Sequence, residues 1–224
     1  MGDGPLLDRG SIEQLLREVS DELAAKGVRG RMFVVGGAAI ALAFGRERTT
    51  QDVDAVFEPK DVIYAAARLV AARHGLADDW LNDGVKGFLH GSDPNATVHL
   101  DEPGLSVEVA SPRYLFVMKA VAARVDRDAG DIRHLYGQCS FGSVQEALDF
   151  VQASVPGNLI PPKTQFLLEE LLTDELYAPQ PTIVPPSAPH VRDVSPRREA
   201  CGHPLPRGGT CTESSGHRGR HRRR

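Results

Sequence analysis

Three cysteines in 224 residues are an odd set for a disulfide framework, and nothing else in the chain implies export. The N-terminus MGDGPLLDRG carries neither a basic stretch nor an apolar one, so no secretory signal is expected. Leu6 stands where N-terminal myristoylation requires Ser or Thr. The longest apolar run, Phe33 to Phe44, is interrupted by glycines and is too short to span a bilayer. No internal repeat is present. The expectation from these absences is a soluble, cytoplasmic protein with no membrane partner.

What the chain does have is an uneven charge. From Ser187 onward nine arginines stand against three acids, which leaves 17 bases against 27 acids in the rest. An acidic body with a basic C-terminus suggests two functional parts. The body is long enough to bury a sizeable core.

Along that body the patterning alternates between helix and strand. Ser11 and Gln14 read as a capping box, followed by the apolar stripe Leu15, Leu16, Val19, Leu23 to about Lys26. Met32 to Val35 reads as a strand, Gly36-Gly37 as a tight turn, and Ala38 to Phe44 as a short helix. Asp52 to Phe57 alternates acid with Val, Ala and Phe, a strand pattern, and a helix is expected over Lys60 to His74, ended by Gly75. Two more strands are expected at 96–100 and 105–110, joined by Asp101-Glu102-Pro103-Gly104. Helices then follow at 112–124, 128–136, 144–155 and 163–176. The class is α/β (α+β): a mixed sheet flanked by helices, with a helical C-terminal half. Three segments are expected: a domain over 10–178, a Pro-rich linker over 179–198, and a basic tail over 199–224.

The informative stretch is VVGGAAIALAFGRERTTQDVDAVF, residues 34–57. Residues i and i+2 of a strand share a face, so Asp52 and Asp54 project side by side. Two carboxylates that close repel unless a cation sits between them, and Mg²⁺ held by one or two carboxylates plus substrate phosphates is a common solution. Gly36 and Gly37 have no side chains to keep backbone N–H groups and a helix start away from an anion. Singly, a D-x-D can be a solvated strand end and a Gly-Gly merely a turn. In this order, with Thr50 just ahead of the acids, they describe a site for a nucleoside triphosphate.

Gly36-Gly37 followed by Thr50-x-Asp52-x-Asp54 resembles the signature of the nucleotidyltransferase superfamily, that of DNA polymerase beta and the aminoglycoside nucleotidyltransferases. The nearer resemblance is to a bacterial subgroup of DUF6036-type proteins and AbiEii/MenT-like toxins. A second block is similar to that subgroup's helical motif: Lys119, Ala122-Ala-Arg124, then Arg127-Asp128-x-x-Asp131. The resemblance covers roughly residues 10–155.

It implies transfer of a nucleoside monophosphate from an NTP to an acceptor hydroxyl, with Mg²⁺ on Asp52 and Asp54. Gly36, Gly37 and Thr50 would hold the triphosphate, and Lys119 would neutralise a phosphate oxygen; the other reading is a surface lysine, but its nearly all apolar helix neighbours favour a partner or a cleft. Asp131 falls at the motif's acidic position, paired with Lys119 or Arg124. Asp128 reads as a helix cap. Glu108 is the candidate third metal carboxylate or else an exposed strand glutamate. Arg46 and Arg48 could meet a triphosphate or an RNA backbone, or sit in a solvated turn. Trp80 and Cys139 are expected in the core. The acceptor implied by the toxin branch is a tRNA or other RNA 3′ end, with a protein hydroxyl second, and a cognate antitoxin protein is the implied partner. A small-molecule transferase of the aminoglycoside kind, and a catalytically inactive nucleotide- or RNA-binding module, remain as alternatives.

The tail carries Cys201, Cys211, His217 and His221, spaced C-x9-C-x5-H-x3-H, with His203 as an alternative. Two thiolates and two imidazoles make a tetrahedral Zn²⁺ set. The string also resembles a short motif near the ends of actinobacterial proteins. The other reading is a disordered arginine-rich tail.

Overall fold

In the computed structural model, the described residues are 5–44, 48–85, 91–122, 125–155 and 162–173. The chain divides into two units, Met1–Gln180 and Pro181–Arg224, and the described residues all fall in the first. The linker and the four tail ligands expected of zinc therefore lie outside the described residues, as do Arg46 and Arg124.

The chain runs α1 (Arg9–Ala24), β1 (Gly30–Val34), α2 (Gly36–Phe44), β2 (Val53–Glu58), α3 (Lys60–His74), β3 (Leu81–Asn82), β4 (Thr97–Asp101) and β5 (Leu105–Val109). Among the described residues α4 (Pro112–Ala122), α5 (Val125–Cys139), α6 (Val144–Ser154) and α7 (Pro162–Thr173) follow. The strands form one mixed sheet in the order β3-β2-β1-β5-β4. β1 is antiparallel to β2 and parallel to β5, and β2 is parallel to β3.

Alternation along the strands decides which face is dry. Val53, Ala55 and Phe57 of β2 are buried, as are Leu105, Val107 and Val109 of β5, and Met32 and Val34 of β1. The stripe Ile12, Leu15, Leu16, Val19 and Leu23 of α1 belongs to the same core, with Ile63, Ala66 and Val70 of α3. The hairpin turn between β4 and β5 approaches α1 so closely that a Cβ on Gly104 would lie 2.0 Å from the Ser20 carbonyl oxygen. Trp80 is buried and donates its indole N–H to the Ala67 carbonyl at 3.0 Å. Cys139 is buried too, and burial pushes its thiol up to about 12.

Four local readings change. α1 begins at Arg9 and is capped by Asp8, whose Oδ1 accepts from the Ser11 N–H at 2.8 Å; both residues favour caps, and the earlier one takes the role. That hydrogen bond holds the Asp8 carboxyl below its ordinary value. Gly36 and Gly37 are the first residues of α2 rather than a separate turn, with Gly36 at φ +64°. β2 starts at Val53, so Asp52 sits in the bend just ahead of it. β3, two residues long, is an element the periodicity does not reveal.

The helical half packs on α4. Phe116, Tyr136, Phe141 and Phe150 form an aromatic cluster joining α4, α5 and α6, with ring centroids 5.4–6.3 Å apart. The Arg113 guanidinium lies over Phe141 and Phe150 at 5.0 and 5.2 Å. Among the described residues no helix is long and apolar enough to cross a membrane.

Candidate active site

Parallel β1 and β5 end at the same edge of the sheet, and antiparallel β2 begins there. The crevice beyond the carboxyl ends of parallel strands is where open α/β sheets place ligands. At this edge β1 passes directly into the glycine start of α2, and β5 is followed by α4. A cavity of about 620 Å³ opens between them, lined by Gly36, Gly37, Thr50, Asp52, Asp54, Lys119, Asp128 and Asp131 among others. The two sequence blocks, some 65 to 95 residues apart, thus meet in one place.

The glycines are fitted to the acids. A Cβ on Gly36 would stand 2.9 Å from Asp54 Oδ2, and one on Gly37 would stand 3.0 Å from Thr50 Oγ1. Gly36 also sits at a φ that L side chains rarely adopt. A side chain at either glycine would therefore crowd Asp54 or Thr50. The Val35 N–H donates to the Asp54 carbonyl at 2.9 Å, locking the end of β1 to β2 beside the pair.

Asp52 is held loosely. The Thr50 hydroxyl donates to its Oδ1 at 3.4 Å, and the Asn82 amide donates to its Oδ2 at 3.5 Å, both long for hydrogen bonds. Asn82 lies in register with Asp54 on the neighbouring strand, and its own Oδ1 accepts from the Gly84 N–H at 3.0 Å. It is a site residue that sequence reasoning missed, because a neutral amide on an aperiodic segment carries no signal of its own.

The structure places Glu108 apart from the other acids. Glu108 pairs in register with Phe33 of β1, so a whole strand separates it from β2, a spacing of roughly 9–10 Å. It is exposed and does not line the cavity. The exposed-strand reading holds.

On the helical side, Lys119 Nζ lies 2.5 Å from Asp128 Oδ1 and 3.1 Å from Asp131 Oδ2. Its side chain is 18% exposed, which makes it a cavity lysine rather than a surface one. Asp128 is not a cap: α5 starts three residues before it, and its side chain is buried against Lys119. Asp131 pairs with Lys119 and with Arg48. Arg48 thereby ties the loop carrying Thr50 and Asp52 to α5. One turn along α5, His134 packs edge-on against Phe44, and its Nε2 is buried without a hydrogen-bond partner. Burial, and then the nearby Arg48 charge, push this imidazole below its ordinary value, against the opposite pull of Asp131.

Among the described residues, four carboxylates and one lysine line the cavity, with Arg48 paired to Asp131. Carboxylates gathered in this way repel a bare polyanion and attract a cation. Among the described residues no three His, Cys, Asp or Glu side chains converge to hold a metal by themselves. The donor set at the sheet edge fits Mg²⁺, which uses one or two carboxylates and completes its shell with water and phosphate oxygens.

No curated protein and no solved structure matches the chain. A family profile described as a nucleotidyltransferase of unknown function, DUF6036, matches residues 11–156, which span both sequence blocks and every residue of the cavity named above. That match covers well over half of the sequence, and the chain belongs to the DUF6036 family of nucleotidyltransferases of unknown function.

Proposed function

We propose that the chain moves a nucleoside monophosphate from a Mg²⁺-bound NTP to an acceptor hydroxyl, with an RNA 3′ end as the acceptor class. The observation that carries this reading is the convergence of Asp52, Asp54, the Gly36-Gly37 helix start and Lys119 on one cavity.

Asp52 and Asp54 would hold Mg²⁺. When bound, the ion supplies positive charge to the attacking and leaving oxygens. The N-terminal N–H groups of α2 receive triphosphate oxygens, helped by the positive end of the helix dipole. Thr50 supports the same turn. Lys119, aimed by Asp128 and Asp131, offers its ammonium to a phosphate oxygen as charge builds on it. The acceptor oxygen bonds the α-phosphorus as the bond to the bridging oxygen breaks. Pyrophosphate leaves, and the hydroxyl proton passes to a carboxylate of the pair.

The RNA acceptor, and an antitoxin that masks the site, rest on the resemblance of the two blocks to the toxin branch. A small-molecule acceptor is the enzymatic alternative. One observation favours a second reading, a nucleotide-binding module without transfer: the strand position beside Asp54 holds neutral Asn82, and Glu108 lies off the cavity. Incubation of the protein with labelled NTPs, Mg²⁺ and total tRNA separates these readings. Label on RNA with wild type and none with Asp54→Asn supports the transferase. NTP binding with no label on RNA or on small acceptors supports the binding module.

A further inference from the structure

The cavity is not polar throughout. Leu6, Val85, Leu115, Met118 and Ala122 also line it. Leu115, Met118 and Ala122 fall on the same stripe of α4 as Lys119, at helical spacing. Val85 and Leu115 are buried, but Leu6 is 62% exposed.

A single exposed leucine is ordinary. What distinguishes Leu6 is how it is held. Its neighbour Leu7 is buried and exchanges two backbone hydrogen bonds with Thr50, at 2.7 and 2.9 Å. Thr50 is the residue whose hydroxyl packs against Gly37. On the other side, Asp8 caps α1. The strap of residues 5–8 is therefore anchored to the glycine start of α2 through one residue and to α1 through another. It presents Leu6 to the cavity from a fixed backbone.

We infer that Leu6 and the apolar stripe of α4 form the nucleobase subsite, which rests on the NTP reading above and assigns the part of the nucleotide that the strap holds. A nucleobase has an apolar face and polar edges. The apolar side chains cover the face and have no hydrogen-bonding group to read an edge. Gln51, beside Thr50 in the lining, has an amide that can donate or accept. The subsite therefore discriminates weakly among bases and favours purines, which bury more area.

The test is calorimetric titration of the full chain in Mg²⁺ with ATP, GTP, CTP, UTP and inorganic tripolyphosphate, without acceptor. Wild type is expected to bind the four nucleotides within about tenfold of one another, purines tightest. Leu6→Ala is expected to weaken ATP about fivefold and to leave tripolyphosphate unchanged, as expected for lost apolar cover. Leu6→Phe restores ATP affinity by covering the base with a ring. Because Leu6 is exposed, the unfolding midpoint of Leu6→Ala stays at the wild-type value. The inference is overturned by Leu6→Ala binding ATP as wild type does, by equal weakening of ATP and tripolyphosphate, or by a hundredfold preference for one base. Wild type that binds neither ATP nor tripolyphosphate overturns the transferase reading itself.

Discussion

The ammonium of Lys119 lies 2.5 Å from Oδ1 of Asp128, whose side chain is only 6% exposed. A buried charge of that kind is stable only while its partner stays. Asp128→Ala leaves Lys119 with Asp131 alone, so the loss is expected at about 2 kcal/mol, below the ~3–5 kcal/mol of a fully buried pair. Asp128→Asn, which keeps the volume, is expected to cost less. Urea denaturation of the two variants against wild type measures both.

Gly36 carries the second prediction. Alanine there meets a positive φ of +64° and a Cβ 2.9 Å from Asp54 Oδ2. The backbone term is about 1–2 kcal/mol, and the Asp54 side chain must move to relieve the contact. Gly36→Ala is therefore expected to fold with a modest loss and to lose ATP binding by well over tenfold. A variant with unchanged ATP affinity would show that the close approach has no role in binding.

His134 sets a pH dependence. Its imidazole has a lowered value in the folded chain, so between that value and the ordinary one near 6.5 the unfolded chain binds the extra proton. The stabilising difference is present in full at neutral pH, where both states are neutral, and is lost as pH falls below 6.5. Stability is expected to decline from pH 7 to 5.5, and His134→Leu to flatten that decline. Denaturation midpoints across the range give the slope directly.

How much of this was legible in the residues differs by element. α3 was legible from Lys60 to His74, and Gly75, in the left-handed region, closes it as expected. The D-x-D and Gly-Gly cues marked the sheet-edge half of the cavity, since both are local in sequence. β3 was not visible, because two residues cannot show a period and their pairing partner lies 28 positions away. The same blindness hid Asn82. Asp128 looked like a cap because helix starts favour acids, whereas a tertiary contact with Lys119 governs it. That β1 lies between Glu108 and Asp54 depends on the strand order, which no local pattern in the residues shows.

For the tail, which lies outside the described residues, the expected ligand set remains a proposal. Metal analysis of the full chain is expected to find about one zinc per chain, as a closed four-ligand site requires, and none after Cys201→Ser with Cys211→Ser. Equal zinc in both proteins would place the metal elsewhere.

The central claim is that the sheet-edge acids accept a nucleotide only through a cation. Equilibrium binding of ATP, measured on one preparation in Mg²⁺ and again in EDTA, tests it most directly. The account predicts saturable binding in Mg²⁺ that disappears in EDTA and is lost in Asp54→Asn. Binding of equal strength with and without the metal would contradict it.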